Sequence, residues 1–210
     1  MFSTFSNYFG IKDTVNENGY DLNKYSVIQK NTKGFVEFFN NYEGCSFGKG
    51  LYRLHKLNKI KQWNNIVLQV FPDLEGRIEC FGYDWLGRHF ALDLHRLEDG
   101  QAQILMLEPG TGEVLEIPCN FIEFHNEEIP NYHDACLASF FYSEWLSKHP
   151  MGLSSEECVG YKTLLFLGGE DAISNLEKVN MDVYWHLCCQ LIRKTKNLPE
   201  GTVVRIFNLE

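Results

Sequence analysis

Apolar positions recur at helical spacing along parts of this chain and at alternating spacing along others, and the order of the two patterns predicts its elements. Phe35, Phe38, Phe39 and Tyr42 share one helical face, and Gly44 is placed to end that helix. A strand over 51–54 leads into a second helix over 57–71, whose stripe is Ile60, Trp63, Ile66, Val67 and Val70 and whose stop is Pro72. The period then changes to two. Ile78 and Cys80 oppose Glu79, Phe81 and Tyr83, and after Gly87 the residues His89, Ala91 and Asp93 oppose Phe90, Leu92 and Leu94. This predicts a β-hairpin turning at Asp84-Trp85-Leu86-Gly87.

Strands over 102–107 and 114–117 follow, joined by Pro109, Gly110 and Gly112, so at least four strands form a meander with helices on one face. Phe121, Ile122 and Phe124 start a short helix. A longer one over 135–146 directs Leu137, Phe140, Phe141 and Trp145 inward, and Pro150 ends it. The run 159–171 reads as a buried connecting strand or irregular segment followed by a polar turn. Met181, Tyr184, Trp185, Cys188, Leu191 and Ile192 mark a terminal helix with Lys194 and Lys196 at its negative end, and 203–207 reads as a last strand. The fold class is therefore α+β, an antiparallel or mixed sheet of about five strands with flanking helices.

Composition narrows the function. A chain of 210 residues with 44% hydrophobic and 14% aromatic content can bury a large core. Its net charge of −9 repels phosphate polymers and anionic membranes, which argues against nucleic acid as a direct partner and for a basic protein. The seven cysteines are odd in number and scattered through apolar patterns, as reduced core thiols would be. No basic, apolar leader and no apolar stretch of roughly 20 residues occurs, so the expected compartment is the cytoplasm.

Candidate chemistry is sparse. Gly110-Thr111-Gly112 is followed by a strand rather than a helix, which disfavours a phosphate loop. His125 and His133 lie near Glu127, Glu128 and Asp134 without a compact metal spacing, so no metal and no cofactor is expected. Trp85 either stands exposed on its turn as a recognition group or folds back as a core plug. Arg88 either pairs with a neighbouring carboxylate or meets a ligand. The residues chosen for partner contact are Tyr83, Trp85, Arg88, Tyr161, Glu170 and Asp171, on the strength of glycine-bounded turns and the acidic charge.

An ordered series of strings adds to this reading: Gly-Leu-Tyr-Arg-Leu-His at 50–55, Phe-Gly-Tyr-Asp-Trp-Leu-Gly-Arg at 81–88, Leu-Glu-Pro-Gly-Thr-Gly-Glu-Val at 107–114, Cys-Val-Gly-Tyr-Lys at 158–162, Phe-Leu-Gly-Gly-Glu-Asp at 166–171 and Met-Asp-Val-Tyr-Trp at 181–185. Over roughly 35–191 the chain thereby resembles the bacterial family of type VI secretion DNase-effector immunity proteins. The front half is more distantly similar to the SUKH group of immunity proteins. The resemblance implies a GAD-like N-terminal helical part over 1–72 and an immunity-family α+β part over 73–210, packed as one globular unit. It implies a protein that catalyses nothing and neutralises a cognate toxin nuclease by occluding its active site. Pairing of two copies is left open. The alternatives from the residues alone are a small-ligand sensor, with a pocket between the sheet and 159–171, and a hydrolase using a Cys–His pair.

Overall fold

The computed structural model describes residues 1–11, 21–196, 198, 199 and 202; the strand expected over 203–207 lies outside them. Six strands make one antiparallel meander in chain order: β1 (Ser46–Phe47), β2 (Tyr52–Leu54), β3 (Ile78–Asp84), β4 (His89–Glu98), β5 (Gln101–Glu108) and β6 (Glu113–Asn120). The predicted hairpin is β3–β4, with Gly82 opposite Phe90 and a bulge between Cys80 and Gly82. A separate pair, β7 (Glu157–Tyr161) and β8 (Leu176–Asn180), includes a strand that the hydrophobic pattern did not announce.

Helices cover both faces of the large sheet, not one. On one face Phe81 and Phe90 meet Phe121 and Phe124. These come from α5 (Phe121–Glu123) and the π-helical stretch Phe124–Glu128, which runs on into α6 (Ile129–Asn131). Phe5 from α1 (Ser3–Tyr8) and Phe38 from α3 (Phe35–Tyr42) thicken that aromatic layer, and the short α2 (Val27–Asn31) precedes α3. On the other face His89 meets Trp63 of α4 (Leu57–Val70) and Trp185 of α9 (Met181–Thr195). With both faces covered, every residue from Cys80 to Asp93 is buried, polar positions included. The expected division at residue 72 falls between β2 and β3, which are neighbours in the sheet.

The helix expected over 135–146 is two helices, α7 (His133–Leu137) and α8 (Ser139–Lys148). Ala138 breaks it by adopting left-handed geometry, φ +48°. The break rotates Phe140 off the inward stripe, and Phe140 is 69% exposed rather than core.

Candidate functional site

The turn at Trp85 is sealed. Asp84 accepts from the backbone N–H groups of Leu86 and Arg88 at 3.0 Å each and from Arg88 Nε at 2.6 Å. Arg88 also donates to the Cys136 carbonyl at 3.2 Å and lies 3.6 Å from Glu108. Burial alone would lower the Arg88 pKa, but Asp84 and Glu108 raise it above the ordinary arginine value, so the guanidinium stays charged. Burial pushes Glu108 up to about 7, against the pull of Arg88. Trp85 is fully buried, donates from Nε1 to the Leu137 carbonyl at 2.8 Å and packs on Phe141, Tyr142 and Trp145. Of the two readings of Trp85, the core plug is therefore the observed one, because helices α7 and α8 return to cover the turn.

Tyr83 and Tyr161 are buried as well. Tyr83 donates to the Ser155 carbonyl at 3.0 Å, and its ring carries the Arg53 guanidinium at 4.5 Å. Arg53 is itself buried. It has three carbonyl partners, Ser154 and Asp84 at 2.6 and 2.8 Å and Glu157. Tyr161 donates to Asp171 at 2.7 Å. Of the six residues chosen from sequence, only Glu170 and Asp171 reach solvent. The depression beside them, about 280 Å³ and lined by Thr163, Gly168, Gly169, Glu170, Ser174 and Asn175, is shallow.

A surface that sequence reasoning missed lies across α1, α7 and α8. The Tyr8 ring stacks on His133 at 5.6 Å, and Phe140 meets His133 edge-on at 5.6 Å. Tyr132, next to His133, is 59% exposed. Glu127, Asp134 and Glu144, on the π-helical stretch, α7 and α8, are exposed. The available signal was Ala135-Cys136-Leu137-Ala138-Ser139, whose small residues permit the break that turns Phe140 outward.

The remaining titratable groups are structural in their bonding. His125 Nδ1 donates to the Phe121 carbonyl at 2.7 Å, which leaves Nε2 to accept from Tyr52 at 2.9 Å. Burial holds the pKa of His125 down at about 3. His133 pairs with Ser139 instead, and among the described residues no group of three or more His, Cys, Asp or Glu is placed to hold a metal. Burial raises the pKa of every cysteine, Cys188 to about 12, which suppresses the thiolate a nucleophile needs. Among the described residues no helix is long and apolar enough to cross a membrane.

These features define an α+β protein whose buried polar network fixes its shape and whose aromatic and acidic groups meet solvent on helical surfaces. Residues 121–192, the stretch holding β7, β8, the broken helix and α9, match the family described as T6SS immunity protein Tdi1, C-terminal. The match supports a type VI secretion immunity family for the stretch it covers. The solved structure of Atu4351 from Agrobacterium tumefaciens has a similar fold, at 13% identity over 90% of this chain and 89% of that one, with a TM-score of 0.62. No curated protein matches the chain.

Proposed function

We propose that this is a non-enzymatic immunity protein that binds a cognate toxin of a type VI secretion system in the cytoplasm, and that the toxin is a nuclease whose active site it covers. The observation that carries the reading is the match of 121–192 to an immunity-protein family, over the stretch that also bears the exposed Tyr132 and Phe140. A net charge of −9 suits a partner with a basic substrate cleft, since complementary fields speed encounter. The division into a GAD-like part, 1–72, and an immunity-family part, 73–210, belongs to the same proposal.

The contact face in this reading has Tyr8, Tyr132 and Phe140 as anchors, with Glu127, Asp134 and Glu144 as its acidic rim. Glu170 and Asp171 extend the rim, because the 3₁₀ turn Ile173–Asn175 just beyond them packs on α8. Tyr83, Trp85, Arg88 and Tyr161 act from beneath as scaffold. Aromatic groups at the centre of such a face hold most of the binding energy, at 2 kcal/mol or more each by the usual rule.

Co-expression with the neighbouring toxin, capture of the complex and a plasmid-degradation assay test this. A complex that leaves DNA intact is expected, and the pair Tyr132→Ala with Phe140→Glu should weaken capture by about 100-fold without altering the melting temperature. A captured toxin that still degrades DNA would discard occlusion. Capture indifferent to the double variant would discard this face.

A further inference from the structure

A cleft of about 460 Å³ opens between the first turns of α4 and the loop before β7, well away from the aromatic groups of α7 and α8. Its size is that of a small-molecule site. The floor is a stack of rings whose faces largely cover one another. The His55 ring lies parallel to Tyr83 at 4.7 Å and to Trp63 at 5.6 Å, and Leu54 closes the floor beside them. His55 is only 3% exposed, and its Nε2 has no hydrogen-bond partner among the described residues. Such an orphaned atom carries a desolvation cost.

The walls are charged with opposite sign. Lys56 and Lys59 come from the start of α4, where the helix dipole adds positive potential and no side chain of Lys56 caps the helix. Glu156 and Asp182 come from the loop before β7 and the first turn of α9. Among the described residues neither lysine makes an ion pair with either carboxylate, so the cleft separates opposite charges without closing on itself. Among the described residues the Lys59 ammonium is engaged by Gln62, at 3.0 Å, and the Asp182 carboxylate by His186, at 2.9 Å.

We infer that this cleft binds a small zwitterion with an aromatic body. The ring lies against the edge of the Trp63, His55 and Tyr83 stack, the anionic group faces Lys56 and Lys59, and the cationic group faces Glu156 and Asp182. A ligand with one charge would leave one wall unanswered, and an uncharged ring would leave both. The site is assembled from segments about 100 residues apart in the chain, so its ligand would also tie the two halves together.

Calorimetric titration of the full chain with four indoles separates the parts of this proposal: L-tryptophan carries both charges, tryptamine the cation, indole-3-propionate the anion, and indole neither. Tryptophan should bind about ten-fold more tightly than either singly charged probe. Lys59→Gln and Glu156→Gln, both at exposed positions, should each weaken it by about ten-fold while leaving the melting temperature of the free protein unchanged. Equal binding of a singly charged probe would overturn the two-sided assignment. Absence of binding by all four at millimolar concentration would overturn the site.

Discussion

The turn at 84–88 and the turn at 168–171 are both glycine-bounded and both charged, and they meet water in opposite ways. Around Gly87, φ +77°, a Cβ would press on Cys158 Sγ at 3.1 Å, and the Gly87 carbonyl accepts from Trp185 Nε1 at 2.8 Å and from His89 Nδ1 at 3.1 Å. Around Gly168, φ +86°, a Cβ would meet nothing. Local sequence gives both turns their backbone. Distant sequence decides their burial: the first is covered by Leu137, Val159 and Trp185, and nothing among the described residues arrives over Gly168. The exposed turn is still held from beneath, since Asn175 donates to the Glu170 carbonyl at 2.8 Å and Tyr161 to Asp171 at 2.7 Å, but its outer side stays open to water.

Breaking the sealed turn should have the largest effect. Arg88→Met leaves Asp84 buried with two backbone donors and without its paired guanidinium, the buried Arg53 being the remaining cation that acts on it, and the expected loss is about 3–5 kcal/mol in urea unfolding. Trp85→Ala removes a fully buried indole and orphans the Leu137 carbonyl, with a similar loss of about 3–5 kcal/mol. An unfolding midpoint shifted by less than a quarter of that in either variant would contradict the sealed arrangement.

Acid sharpens the comparison through the same buried layer. His89 and His125 are held neutral with folded pKa values of about 3 against an ordinary 6.5. The unfolded chain therefore takes up protons first. The histidines' contribution to stability is complete above pH 6.5 and declines as pH falls from there toward 3, by about 2 kcal/mol per histidine at pH 5. Glu108 runs the other way. Its folded pKa of about 7 against 4.5 means its buried charge costs stability as pH rises through 7 and is relieved by protonation below it. Removing that relief with Glu108→Gln should enlarge the loss between pH 8 and pH 5 by about 2–3 kcal/mol relative to the parent, measured by urea midpoints at the two values. An unchanged loss would remove Glu108 from the account.

The exposed turn should barely respond. Asp171→Ala gives up the bond from Tyr161 and should cost about 1 kcal/mol, while Glu170→Ala should stay within about 0.5 kcal/mol. Differential scanning calorimetry of the pair checks this, and a larger loss from Glu170 would mean that the turn is packed after all.

The elements that hydrophobic period revealed are α3, α4 and α9, each with one clear face, and the β3–β4 hairpin, whose strands flank a glycine-bounded turn. The period failed where its premise failed. β8 reads Leu176-Glu177-Lys178-Val179-Asn180, a half-exposed strand with a single buried residue, so it has no apolar run. The Ala138 break follows from backbone geometry, which leaves no periodic trace. The surface at Tyr132 and Phe140 escaped for that reason. The His55 cleft escaped for another: its floor and walls come from four separate segments that only the tertiary fold brings together. Arg53 was the legible hint. A cation within a short strand buried on every side must find its partners inside.

Those partners have a temporal consequence. Arg53 waits for carbonyls 101 and 104 residues downstream, and the Gly87 carbonyl waits 98 residues for the Trp185 indole. As the chain leaves the ribosome, the sheet can pair early, but Arg53 lacks two of its carbonyl partners until residue 157 has emerged and the Gly87 carbonyl lacks the indole until α9 has. Such high contact order slows folding and exposes a half-made sheet meanwhile.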